Sequence, residues 1–230
     1  MAISTSNAPA RVLAWDCDGT LIDTTALIIR SLDHIYTRFY GRSLPEPDLR
    51  ALIGTPLKSQ IRVFGEPSDF GVDEAEITEA FITYYESHRA EERILHAVTA
   101  ILIEGKQRGY PTALVTSKNL EELANTLPRL GIEPYLDVTI TADDIPRPKP
   151  APDGLLQAMS LLDAGPEVAQ NSFYIGDTVH DMEAATGAGL QGVGVIWGAA
   201  GADSLRAAGA RYVCRTPDEL RALLFGQGEV

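Results

Sequence analysis

Five short apolar runs punctuate the chain, near residues 12–15, 112–115, 136–140, 173–175 and 192–196, and turn-forming residues flank each of them. The runs are continuous rather than alternating, which suits strands buried on both faces. Between most of them lie segments of helical period, among them 120–130, 154–162, 182–189 and 205–209. Strands alternating with helices predict right-handed crossovers and a parallel sheet, an α/β fold with a Rossmann-like core. In such sheets ligands bind beyond the carboxyl ends of the strands.

The stretch from Thr24 to Glu92 breaks this alternation. Residues 27–40, 47–53, 57–64 and 72–88 carry helical patterns with no convincing strand between them, punctuated by Pro45, Pro47, Pro56 and Pro67. This predicts a helical insert at residues 24–92 in a core made of residues 1–23 and 93–230. Aromatic residues at 36, 39, 40, 81, 84 and 85 recur at helical intervals. They are expected to form the insert's own core, with one or two lining a pocket. The first ten residues read as a loose polar tail.

Composition narrows the function classes. With 230 residues and a formal net charge of -13, the chain suits a core plus a smaller domain and argues against nucleic-acid or anionic-membrane partners. No apolar run reaches the roughly 18 residues a bilayer span requires. Cys17 and Cys214 have neither metal-ligand spacing nor a disulfide framework, so a reducing, cytoplasmic setting is expected.

Candidate chemistry gathers near the predicted strand ends. The first run feeds into Asp16-Cys17-Asp18-Gly19-Thr20, and an extended chain would aim Asp16 and Asp18 to one side. Two carboxylates that close repel unless a cation lies between them or one is protonated. The second run ends in Thr116-Ser117-Lys118-Asn119. Lys149-Pro150-Ala151-Pro152-Asp153 opens a helical pattern, with Arg147 a competing cation two residues earlier. A further run ends in Gly176-Asp177-Thr178-Val179-His180-Asp181.

In this order the four stretches resemble the motifs of the haloacid dehalogenase-like superfamily, from Val12 to about Leu224. Asp18 places the resemblance in the branch acting on phosphate esters, because members with other chemistries lack an acid two residues after the first. Thr116-Ser117-Lys118 and the cap element Ile53-Gly54-Thr55-Pro56-Leu57 resemble the phosphoglycolate phosphatase and pyrophosphatase-like group. The resemblance implies a phosphatase with a helical cap, hydrolysing a small phosphorylated metabolite through an aspartyl-phosphate. Asp16 would be the nucleophile and Asp18 the general acid, then base. Thr116 and the Ser117 N–H would hold phosphate, and the Lys-Pro-x-Pro pattern selects Lys149 over Arg147 as the cation there.

The clustered acids call for a hard cation with oxygen ligands, so Mg2+ is the expected cofactor. Its ligands would be the carboxylates of Asp16 and Asp177 and the backbone carbonyl of Asp18. Asp181 would act through water or by orienting Lys149. Gly19 and Gly176 are expected at tight turns, Cys17 is expected to point into the sheet, and His180 is expected beside the site without a catalytic role. Within the cap, Lys58 is the candidate for reading the leaving group. A phosphomutase of the β-phosphoglucomutase type would share every core residue, and a catalytically idle binding or regulatory relative would be expected to lose one acid. No motif fixes the oligomeric state.

Overall fold

Six parallel strands form the central sheet of the protein, which a computed structural model describes over residues 11–226. The tail expected at residues 1–10 lies outside the described residues. In chain order the strands are β1 (Leu13–Trp15), β2 (Ile22–Asp23), β3 (Arg93–Ile94), β4 (Thr112–Val115), β5 (Val138–Ile140), β6 (Phe173–Gly176), β7 (Gln191–Val195) and β8 (Tyr212–Cys214). The main sheet runs β5-β4-β1-β6-β7-β8. Its register sets Trp15 between Leu114 and Ile175. β1 is therefore flanked by β4 on one side and β6 on the other, and the chain winds outward in both directions from it. That reversal opens the crevice in which open α/β sheets bind ligands.

The unbroken apolar runs have a direct cause, since helices cover both faces of the sheet. Leu13, Trp15, Ile175 and Val193 pack beneath α5 (His96–Gln107) and α11 (Pro217–Phe225). Val12, Ala14, Val115 and Tyr174 pack on the opposite face beneath α7 (Asp153–Leu161) and α9 (Val179–Ala188). The sheet's sixth strand, β8, was not anticipated. It has three residues, it is only partly buried at Tyr212 and Val213, and Arg211 and Arg215 bound it, so it lacks the apolar run that marks the others.

Four α-helices, with three short 3-10 turns, fill the segment between β2 and β3: α1 (Thr25–Tyr40), α2 (Glu46–Ala51), α3 (Leu57–Ile61) and α4 (Glu74–Ser87). They enclose a third hydrophobic cluster, built around Leu32, Ile35, Tyr36, Ile61, Ile77 and Phe81. Two tyrosines tie α1 to α3 while burying their rings. Tyr36 donates its hydroxyl proton to the Gln60 carbonyl at 2.7 Å, and Tyr40 donates to the Ile61 carbonyl at 2.6 Å. Where the helical segment leaves and rejoins the core, β2 and β3 pair antiparallel, with Asp23 opposite Arg93. Among the described residues no helix is long and apolar enough to cross a membrane.

Candidate active site

The chain leaves β1 at Asp16 and turns at once. The Cys17 carbonyl accepts the backbone N–H groups of Leu21 at 2.8 Å and Ile22 at 3.3 Å, and Gly19 adopts φ +72°. A Cβ at Gly19 would lie 2.1 Å from Asp177 Oδ2, so the turn needs glycine both for its conformation and for its closeness to the second acid. Cys17 points into the hydrophobic core, leaving Asp16 and Asp18 on the wall of one cavity.

Opposite cations hold the two acids. Asp16 Oδ1 accepts from Lys149 Nζ at 2.7 Å, and no described protein donor reaches its Oδ2. Lys149 also donates to Asp181 Oδ1 at 2.7 Å and to the Tyr174 hydroxyl at 3.0 Å. Asp18 instead accepts from Thr24 Oγ1 at 2.9 Å and pairs with Lys118 Nζ at 2.8 Å. Arg147 pairs with Asp153 and is 71% exposed, so it takes no part in this cluster.

Lys118 is the residue that sequence reasoning left without a role. It lies two positions after Thr116, and its partner Asp18 is distant in the chain, so no local spacing announced the pair. Burial works against its charge, but Asp18 beside it raises its ammonium above the usual lysine range. The same balance holds Lys149 charged, with Asp16 and Asp181 outweighing the cost of burial.

Thr116 is buried, and its hydroxyl accepts the Lys118 N–H at 3.2 Å, leaving its own proton to donate. Ser117 turns its side chain to the cap, donating to the Gly54 carbonyl at 2.8 Å, and no described acceptor takes its backbone N–H. Gly54 also meets α9. It has φ +92°, and a Cβ there would fall 2.9 Å from Thr178 Oγ1. The cap loop thus rests on two of the strand-end motifs.

Asp181 is committed on both oxygens. Oδ1 takes Lys149, while Oδ2 accepts the Thr178 hydroxyl at 2.6 Å and the Thr178 N–H at 2.9 Å, closing a capping box at the start of α9. Gly176 is not at a turn, contrary to expectation. It ends β6 with no positive φ, and it is needed because a Cβ would sit 2.5 Å from Asp181. Asp177 is fully buried and accepts from the Ala199 N–H at 2.7 Å and from Thr20 Oγ1 at 3.2 Å.

The electrostatics test whether a cation fits. Asp16, Asp177 and Asp181 each offer an oxygen within 4.8 Å of the others, all buried, and Lys149 is the ammonium that contacts Asp16 and Asp181. Burial, reinforced by the neighbouring acids, pushes Asp16 up to about 7 and Asp177 well above the usual carboxylate range. Asp181 is also buried, yet Lys149 and the Thr178 donors bring it below that range. Two acids are therefore held with too little positive charge, and all the donors are hard oxygens. Mg2+ matches this set through Asp16 and Asp177, with the Asp18 carbonyl available because no described donor bonds it. Gly198 shapes the same spot, since a Cβ there would lie 2.2 Å from Asp177 Oδ2. Gly198→Ala should cost about 1–3 kcal/mol of stability through overpacking. Chemical denaturation measures this, and a loss below about 0.5 kcal/mol would show that Asp177 moves aside freely.

The cavity lies between core and cap, with about 120 Å³ of room. Phe81 and Tyr85 of α4 line it together with Ile53, Leu57 and Gln60. Lys58 does not. It stands exposed on the outer side of α3, because the helical turn that directs Leu57 and Gln60 to the cavity carries the next residue outward. His180 neighbours the site, and both its ring nitrogens are buried without a partner. His34 and His88 stack on either side of Tyr84 on the cap.

The family profile described as haloacid dehalogenase-like hydrolase matches residues 13–195. The chain is 32% identical over 220 residues to a protein of Dickeya dadantii named "Probable phosphatase IndB", covering 91% of each. It is 30% identical over 215 residues to "Pyrophosphatase PpaX" of Bacillus mycoides, covering 91% of this chain and 94% of that one. The solved structure of a hydrolase from Pseudomonas syringae shares the fold with a TM-score of 0.80 at 21% identity, over 95% of this chain and 100% of that one. The strand-end acids, the sheet that carries them and these matches lead to one assignment: the chain belongs to the haloacid dehalogenase-like hydrolase family.

Proposed function

We propose that the protein is a Mg2+-dependent phosphatase that hydrolyses a small phosphorylated metabolite through a phosphoaspartate on Asp16. The observation that carries this reading is the different setting of the two acids on one cavity wall. Asp16 is buried against Lys149 with one oxygen unbonded, while Asp18 is held by Lys118 and Thr24 on the same cavity wall.

Phosphoryl transfer needs an in-line nucleophile and neutralisation of the transferred oxygens. The Asp16 oxygen attacks phosphorus, the bond to the leaving oxygen breaks, and Asp18 gives that oxygen a proton. Asp18 then takes a proton from water, which attacks phosphorus and releases Asp16 and inorganic phosphate. Thr116 Oγ1 and the Ser117 N–H are donors to the phosphate oxygens, and Lys149 neutralises Asp16 and Asp181 beneath them. Bound through Asp16, Asp177 and the Asp18 carbonyl, Mg2+ would supply the remaining positive charge. The cap covers this chemistry, and its Gly54–Ser117 contact fastens it to the phosphate-binding loop.

Relatives named as a phosphatase and a pyrophosphatase bracket the choice between ester and anhydride. The expected result is Mg2+-dependent phosphate release from an aryl phosphate and from small phosphate monoesters. If a sugar bisphosphate were isomerised without phosphate release, the mutase reading would replace this one. If no phosphorylated compound reacted, the chain would be a binding relative that retains its acids.

A further inference from the structure

Beneath the site, one hydroxyl that no step of the reaction uses joins three of its motifs. Tyr174 lies on β6, is fully buried, and faces α7 and α9. Its hydroxyl accepts from Lys149 Nζ at 3.0 Å and has two acceptors in reach, the Val115 carbonyl at 2.9 Å and Asp181 Oδ1 at 3.1 Å. Val115 ends β4 immediately before Thr116, so a single phenol touches the end of that strand, the lysine before α7 and the first turn of α9. Burial holds this phenol well above the usual tyrosine range, which keeps it a neutral hydroxyl rather than a base.

The ammonium of Lys149 decides what the hydroxyl does. An ammonium has three protons to donate and accepts none. Lys149 is surrounded by three acceptors: Asp16 Oδ1 and Asp181 Oδ1, each at 2.7 Å, and the Tyr174 hydroxyl. Its protons are therefore committed within the protein, and Lys149 is buried beneath Asp16, off the wall of the cavity between core and cap. The charge reaches the reaction through Asp16 rather than through a phosphate oxygen. Two bonds to carboxylates leave an ammonium free to tilt about the line joining them. A third bond, to a rigid ring on a buried strand, removes that freedom. With the ammonium fixed, Asp16 Oδ1 is anchored, and Oδ2, which no described protein donor reaches, is the oxygen left to attack.

Resting on the phosphatase reading, we propose that Tyr174 is a positioning residue for the nucleophile: its hydroxyl fixes Lys149 so that the ammonium anchors Asp16 Oδ1 and leaves Oδ2 aligned for attack. Single-turnover release of p-nitrophenol from p-nitrophenyl phosphate, with Mg2+ and enzyme in excess, reads the attack step itself. Tyr174→Phe should lower the saturating rate on the order of tenfold or more, because reacting atoms held out of line lose rate steeply. The enzyme concentration at half-saturation should stay within about twofold, since Thr116 and the Ser117 N–H still hold the phosphate. Rapidly quenched samples should show the phosphoryl adduct forming more slowly by the same factor.

Ser172→Ala is the control for lost stability alone. Just before β6, at the end away from the site, the Ser172 hydroxyl accepts the Val12 N–H and donates to the Val168 carbonyl, each at 2.8 Å. That variant should melt at a lower temperature and keep the wild-type rate. If Tyr174→Phe does not fold, 3-fluorotyrosine placed at position 174 is read instead. It keeps the hydroxyl but weakens it as an acceptor, and it should give a smaller fall in the same direction. An unchanged saturating rate overturns the role of Tyr174, as does a change confined to half-saturation, which would place its effect on Thr116 through Val115. An equal loss of rate in Ser172→Ala would reduce Tyr174 to a structural part. If wild-type protein releases no p-nitrophenol, the phosphatase reading itself fails, whereas normal wild-type release with an unaffected Tyr174→Phe rejects this inference only.

Discussion

Asp16→Asn should abolish turnover, with a loss of several orders of magnitude in kcat and the fold intact. The carboxamide keeps the size of the side chain but is a poor nucleophile, and a reaction divided by a covalent intermediate loses its easier route when that group fails. The fold has reason to survive. Asp16 is one of three buried acids, and neutralising it relieves repulsion from Asp177 and Asp181, although Lys149 loses one of its two carboxylate partners. Melting and turnover should therefore separate, with stability close to wild type and activity gone. A variant retaining more than about a tenth of the wild-type rate, a barrier change under roughly 1.4 kcal/mol, would disprove the nucleophile assignment. Intact-mass measurement of rapidly quenched wild-type enzyme gives a second readout, a phosphoryl adduct that Asp16→Asn does not form.

The central sheet was legible because its strands are buried on both faces and each ends in residues unlike the run before it. Val12 to Trp15 followed by Asp16 and Asp18 is such an edge, and Thr112 to Val115 followed by Thr116 is another. β8 lacked both marks, being short, half-buried and bounded by arginines. Pairings over long separations were the other limit. Lys118 meets Asp18 across the ends of the adjacent strands β1 and β4, and Ser117 meets Gly54 across the boundary between core and cap, and neither pairing has a local signature. Lys58 follows a cap element that lines the cavity, yet it stands exposed and off the cavity wall. Period 3.6 already places Leu57, Gln60 and Ile61 on one side of that helix and leaves Lys58 off it. Gly176 teaches a related point, since a glycine beside an acid reads as a turn when the need is room for Asp181.

Metal removal should abolish activity and make stability fall with rising pH. Two buried acids, Asp16 and Asp177, titrate above their unfolded values because burial and neighbouring acids penalise their charged forms. An acid whose folded value is raised binds its proton more tightly when folded. Between its unfolded value near 3.8 and its folded value, the native state holds more protons than the unfolded state. Stability of the metal-free protein should therefore decline as pH rises from about 4 to about 7, the interval set by Asp16, and Asp177, raised by burial and its acidic neighbours, adds a decline of the same sign. Asp181 leaves this slope unchanged, since its lowered value contributes stability that is fully present above its unfolded value and is lost only as pH falls below it. Mg2+ should raise the melting temperature most at neutral and alkaline pH, where the cation replaces protons on Asp16 and Asp177, and least near pH 4. Melting curves across pH, with chelator and with Mg2+, test this without reference to turnover. In Asp177→Asn, which removes one acid and one ligand, the pH slope of the metal-free protein should flatten and the Mg2+ shift should shrink. Equal Mg2+ stabilisation at every pH would place the ion away from these carboxylates, and full turnover in thorough chelator would overturn the metal requirement.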